Sequence, residues 1–190
     1  MPAELPILPL RNAVAFPFAI VPLAVGTPRS VKQVEEAMQA DRLIGLALSR
    51  DPSVEEPQPS QVHEVGTMAR IMRVARAPDD TLQVVVQGLD RFRVTQWIVE
   101  EGRLAAKVAA APETVELDLE LEALTQNVKD LGRQVVELSP QIPNEAATFL
   151  TSITDPRYLV YLVAANSQFE PPDAQKLLER PRMLERIRAL

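Results

Sequence analysis

The chain has 190 residues, no cysteine, one histidine and a formal charge of −6, with 46% apolar and 24% charged residues. That length allows one domain or two small ones, and the composition is that of a folded chain. The missing thiols exclude disulfides and thiolate chemistry, and the acidic total argues against nucleic acid or an anionic membrane as the main partner. No run of about 18 apolar residues is present to span a bilayer. The opening has no basic stretch, and Pro2, Pro6 and Pro9 interrupt what would be the apolar part of a signal peptide, so a cytoplasmic location is expected. The charge is uneven: residues 1–112 hold 12 basic and 13 acidic side chains, residues 113–190 hold 8 and 13. Seventeen prolines fit either heat adaptation or a GC-rich genome.

Residues 5–25 read as extended but interrupted. Proline lacks an N–H and pushes the residue before it toward extended backbone. Pro6, Pro9, Pro17 and Pro22 therefore stiffen and break this stretch, which also carries Phe16, Phe18 and Ile20. Ser30 to Ala40 is predicted helical, with Val31, Val34 and Met38 on one face, and Arg42 to Leu48 a short apolar strand. Residues 51–60, with three prolines, are an exposed loop. Strands follow over Val65–Val74, Leu82–Gln87, Arg91–Val99 and Arg103–Ala109, with Asp79-Asp80 and Glu101-Gly102 as turns. Leu82, Val84 and Val86 alternate with Gln83, Val85 and Gln87, the period of a half-buried strand. Many short strands separated by turns suggest a small barrel or sandwich.

The period changes after Pro112. Leu117, Leu121, Leu124, Val128, Leu131, Val135 and Leu138 step by alternating fours and threes, the stripe of a helix about 33 Å long at 1.5 Å per residue. Ser139-Pro140 ends it. The stripe suits either a dimerising coiled coil or one helix of an internal bundle. Apolar segments at 144–153, 157–166 and 173–190 give it something to pack on, so residues 113–190 are expected to form a helical bundle. The last segment carries no stop signal, and continuation of the natural polypeptide beyond Leu190 is expected.

Little in the chain suggests catalysis. Six glycines, none closer than 14 residues to the next, exclude both common phosphate-cradling loops. His63 alone cannot assemble a zinc site, and it reads as a solvated loop histidine. No lysine lies in a segment that reads as buried and preorganised beside a serine. Glu35-Glu36, Asp79-Asp80 and Glu100-Glu101 are adjacent in sequence, so their side chains diverge as solvated surface. Arg70, Arg73, Arg76, Arg91, Arg93 and Arg103, with Phe92 and Trp97 among them, could form a strand surface for single-stranded nucleic acid. Alternation instead puts Arg91 and Arg93 together on the solvent side of a half-buried strand.

Pro9-Leu10-Arg11-Asn12, Phe16-Pro17, Pro22-Leu23-x-Val25-Gly26 and Arg29-Ser30 resemble the opening of the N-terminal domain of Lon, the bacterial ATP-dependent protease. Val65-Gly66-Thr67 and Gly88-x-x-Arg91 are similar to its later strand signatures. Gln175-Lys-Leu-Leu-Glu179, followed by a helix with Arg186, is similar to the end of its helical subdomain. Thr27, where the family often has arginine, and residues 157–166 depart from the pattern.

The resemblance implies an α+β fold. A six-stranded, pseudobarrel-like β subdomain with one helix would occupy 1–112, and an α-helical bundle 113–190. An AAA+ ATPase binding ATP and magnesium, and a Ser–Lys protease domain, would lie elsewhere in the parent, with no cofactor or metal bound by these residues. It further implies a non-catalytic part that selects unfolded or misfolded proteins and supports a homohexamer of Lon subunits. Phe16, Phe18, Ile20, Pro22 and Leu23 are the expected apolar patch, with Arg29 and Lys32 as its polar rim. The alternatives are a stand-alone Lon-like adaptor and a single-stranded nucleic-acid-binding barrel.

Overall fold

The computed structural model describes residues 2–100, 102–116 and 118–190. The Leu117 position of the apolar stripe and Glu101 of the acidic pair lie outside the described residues. The elements are β1 (Glu4–Leu10), β2 (Ile20–Val25), α1 (Pro28–Gln39), β3 (Leu43–Leu48), β4 (Val65–Arg76), β5 (Leu82–Glu100), β6 (Arg103–Ala110), α2 (Leu119–Leu138), α3 (Glu145–Ser152), α4 (Pro156–Asn166), α5 (Pro171–Glu179) and α6 (Met183–Ile187). They form a mixed α+β chain with two compact units. One comprises Met1–Pro112 and Gln168–Glu179, the other Glu113–Ser167 and Arg180–Leu190.

In the β unit the strand order is β2-β5-β4-β3-β1-β6, and β6 pairs back onto β5. Five strands therefore close on themselves and β2 lies outside the ring. β5 makes this possible. The sequence suggested separate strands at 82–87 and 91–99, but the structure has one 19-residue strand. Its first half pairs with β2 and its second half with β6. Against β4 the register shifts between Met68 and Ala69, which face Asp90 and Gly88, so Leu89 is an extra residue. A bulge of this kind bends a strand without ending it.

Two apolar clusters lie in this unit among the described residues. Leu8, Leu10, Ile44, Ile71, Val84 and Val86 belong to one. Leu5, Ile7, Val62, Phe92 and Leu104 belong to the other. α1 starts as its sequence directs: Pro28 suits the first turn, and the Thr27 hydroxyl caps Ser30 N–H. Its Val34 and Ala37 are buried. Its buried Gln33 donates from Nε2 to Ile7 O at 3.0 Å and Leu104 O at 2.6 Å, tying the helix to β1 and β6.

Residues 173–190 do not form one helical stretch. The chain breaks around Pro181 into α5 and α6, and α5 is part of the β unit. Gln175 Nε2 donates to Val65 O at 3.0 Å and to Glu179 Oε1 at 2.8 Å. Glu179 also takes His63 Nδ1 at 3.0 Å, so His63 is tethered rather than solvated. Arg91 is 5% exposed, not on a solvent face with Arg93. Its guanidinium donates to Leu178 O, to Ala111 O at 2.9 Å and to Pro112 O at 3.1 Å. A buried cation collecting carbonyls, one of them in the last turn of α5, fixes that helix and the exit from β6.

In the helical unit Asp118 caps α2 by accepting Leu121 N–H at 2.7 Å. The α2 stripe is buried only in its first part. Leu121 packs with Val160, Met183 and Ile187, with Leu124 and Val128 against them. Leu131, Val135 and Leu138 are exposed. Arg186 is fully buried, paired with Glu113 and bonded to Tyr161 Oη and Arg180 O.

Candidate functional site

The stretch between β1 and β2 is held by three backbone devices. Thr67 Oγ1 donates to Ala15 O at 2.6 Å. Ala19 N–H reaches back to Phe16 O at 3.3 Å, with Pro17 second and Phe18, at φ 66°, third in the turn. Proline followed by a positive φ is the signature of a type II turn. The turn lies against Gly88, whose N–H donates to Ala19 O at 2.8 Å and whose carbonyl accepts Phe18 N–H at 2.9 Å. A Cβ on residue 88 would stand 2.2 Å from Phe16 O, so only glycine permits this approach.

This turn decides what faces outward. Phe16 is 3% exposed and belongs to the interior, so it leaves the expected patch. Phe18 is half-buried. Ile20 is 69% exposed, and Pro22 and Ala24 also face solvent. Leu23 points the other way: it packs half-buried against the first cluster. Pro22 fits β2 because an outlying strand, paired only with β5, tolerates a residue without an N–H. Of the expected rim, Arg29 is half-buried and donates to Pro57 O at 3.0 Å. Lys32 is exposed on α1, with Nζ 4.0 Å from Glu36.

The register brings other residues to Ile20 and Pro22. Ile20 lies beside Gln87 and Gln87 beside Arg70; Pro22 beside Val85 and Val85 beside Arg73; Ala24 beside Gln83 and Gln83 beside Ala75. The intervening rows, such as Val21, Val86 and Ile71, turn inward to the first cluster. Met72 is the extra residue of a second β4 irregularity, between Ile71 and Arg73, and is 53% exposed. Three strands thus present one flat outer face of about 14 by 10 Å, from the usual rise and strand spacing. It is apolar along Ile20, Pro22, Val85 and Met72, amidic at Gln83 and Gln87, and cationic at Arg70 and Arg73.

The three rows from Ile20 to Ala24 contain no carboxylate; further along β5 the exposed Asp90 stands opposite Met68, beyond the bulged Leu89. The acids of the β4–β5 turn are engaged elsewhere. Asp79 accepts from Thr81 Oγ1 at 2.6 Å and from its N–H at 3.2 Å, and these bonds, the hydroxyl first, hold its carboxyl below the usual range. Asp80 lies 3.6 Å from Arg76, which also binds Glu35 at 2.6 Å. The arginines and the alternating Val85 were visible in the sequence. Met72 was not, because nothing in the sequence marks the bulge that turns it out.

No group of three or more metal-binding side chains occurs among the described residues, and none of their helices is long and apolar enough to cross a membrane. Residues 4–190 match the family described as the ATP-dependent protease La (LON) substrate-binding domain. The chain belongs to that family. It is 38% identical to Lon protease of Anaeromyxobacter dehalogenans over 189 residues, covering 99% of this chain and 22% of that protein. It is 36% identical to Lon protease of Dictyoglomus thermophilum over 187 residues, covering 98% and 24%. The chain thus spans about a quarter of the length of the curated relatives it matches. The N-terminal domain of Mycobacterium avium complex Lon protease shares its fold, with TM-score 0.79 at 22% identity over 97% of this chain and 94% of that one. A Lon N-terminal domain protein from Xanthomonas campestris superposes with TM-score 0.67 at 20% identity, over 97% and 95%.

Proposed function

We propose that this chain is the recognition part of a cytoplasmic, ATP-dependent Lon-type serine protease, and that it captures unfolded or damaged proteins by their exposed apolar segments. It performs no chemistry itself. ATP and magnesium are the business of an AAA+ module, and peptide cleavage of a Ser–Lys domain, in the parent protein. The observation that carries this reading is the outer face of β2, β5 and β4, where Ile20 stands 69% exposed in a domain whose family is described as substrate-binding.

An unfolded protein differs from its native form by exposed apolar side chains and free backbone. A flat apolar face on a stiff sheet recognises that difference without demanding a sequence. Burying about 300 Å² of apolar surface at roughly 25 cal/mol/Å² yields about 7 kcal/mol gross. Association entropy removes much of it, so one face binds weakly. In a homohexamer several such faces act on one substrate, and avidity restores affinity while each contact stays reversible. The same proposal gives the chain a part in hexamer assembly, for which exposed Leu131, Val135 and Leu138 are the available side chains.

The test is an NMR titration of the labelled chain with a permanently unfolded protein and, separately, with its native form. Shifts are expected only with the unfolded form, at residues 18–25, 70–75 and 82–87. Equal shifts with both forms, or none with either, overturn the proposal.

A further inference from the structure

We propose that the same outer face reads charge, and that it prefers unfolded segments in which apolar side chains alternate with aspartate or glutamate over those carrying lysine or arginine. This rests on the reading of the face as a site for unfolded chain and narrows its substrate class.

The argument is local charge complementarity. The protein as a whole is acidic, at −6, yet the three rows from Ile20 to Ala24 carry two cations and no acid, with Asp90 standing beyond the bulged Leu89, opposite Met68. Arg70 and Arg73 are both exposed, and neither has an ion-pair partner among the described residues. Neighbouring arginines are treated differently: Arg76 is held by Glu35 and Asp80, and Arg103 by Glu4, Glu36 and Glu100. The two free guanidinium groups flank Met72, since Met72 is the bulged residue between their rows. An extended chain laid over Met72 and Val85 would bring its alternate side chains within reach of both cations. Carboxylates there form charge-assisted hydrogen bonds, whereas ammonium or guanidinium groups meet like charge. Nucleic acid shares the negative charge but needs stacking partners. The three rows carry no aromatic side chain; further along β5, Phe92 is buried and Trp97 packs half-buried on the second cluster.

The experiment uses the full 190-residue chain and three fluorescent peptides. They share one alternating apolar framework and carry glutamate, glutamine or lysine at the intervening positions. Anisotropy is measured at low and at physiological salt, with a dye-labelled single-stranded oligonucleotide as a fourth probe. The glutamate peptide should bind about three- to tenfold more tightly than the glutamine one at low salt, and the lysine peptide more weakly still, with the spread shrinking as salt rises. The double variant Arg70→Gln/Arg73→Gln should erase the spread, so that the three peptides bind alike. Ile20→Ser should weaken all three peptides together. Both variants lie on exposed positions, and circular dichroism confirms that they fold. If the three peptides bind equally, charge reading is wrong and the apolar site stands. If none binds, the site itself is wrong and this inference falls with it. Tighter binding of the oligonucleotide, lost in the double arginine variant, overturns the proposal in favour of nucleic acid.

Discussion

In the β unit, apolar clusters drawn from all six strands and α1 include Val86 and Phe92, and buried Gln33 and Arg91 donate to backbone carbonyls among them. In the helical unit the apolar centre is smaller, with Leu121, Val160, Met183 and Ile187, and beside it lies a fully buried Arg186 paired with Glu113. The outer surfaces differ as well. The β unit exposes Ile20 and Met72 next to unpaired arginines, whereas α2 exposes Leu131, Val135 and Leu138 beside an Arg133–Glu137 pair at 3.6 Å. A sheet whose stability comes from its interior can leave its outer face unbalanced and ready for a charged partner. The helical unit instead places a buried ion pair beside its apolar centre, where loss of one partner leaves the other charge poorly compensated.

Breaking that ion pair should have the largest effect. Arg186→Met leaves Glu113 with Arg157 at 3.4 Å as its remaining partner, and removing one member of a buried pair costs about 3–5 kcal/mol. Hydrogen exchange should show α2, α4 and α6 losing protection while β4 and β5 keep theirs. Adding Glu113→Gln should recover part of the loss; no recovery would mean that packing of the Arg186 side chain, not its charge, supports the unit.

The two ends of α2 give the next contrast. Leu121→Ala, at a position 1% exposed, should cost about 2–5 kcal/mol. Leu138→Ala, at 82% exposure on the same stripe, should stay within about 0.5 kcal/mol. Urea denaturation of the two variants decides it, and equal losses would show that the far end of α2 is covered in solution by another chain.

How much of this was legible depends on whether a feature is written in spacing or in register. The α2 stripe and the strand expected at 103–109 follow from their periods, which one sequence carries, whereas the helix expected from Ser30 starts two residues earlier, at Pro28 behind the Thr27 cap. The exposure of Leu138 does not, since spacing shows a stripe but not where its partner ends. β5 looked like two strands because Gly88 marks a break in propensity, and only tertiary pairing shows that it is a bend. Arg91 and Arg93 share a face by simple alternation, yet Arg91 is buried because carbonyls at 111, 112 and 178 converge on it. Phe16 and Ile20 looked equivalent. The turn between them, set by the close approach to Gly88, sends one inward and the other out.

That turn supplies the smaller effects. Gly88→Ala forces its Cβ against Phe16 O and should cost about 1–3 kcal/mol. It should also disturb β2, so binding of unfolded chain should fall more than it does in Arg70→Gln/Arg73→Gln. Binding that survives a shifted β2 would place the contact on β4 and β5 alone.

Phe18→Gly is the subtlest change. At φ 66° phenylalanine pays a backbone penalty of about 1–2 kcal/mol that glycine escapes. The ring is half-buried, however, and its loss gives back packing of the same order. Thermal denaturation should therefore show a net change within about 1 kcal/mol. Strained residues that persist tend to be retained for what their side chain does, and here the strain holds an aromatic ring two residues from Ile20. If Phe18 extends the apolar face, affinity for unfolded chain drops in the glycine variant although stability barely moves. If affinity is unchanged, the ring only fills space above the turn, and the face begins at Ile20.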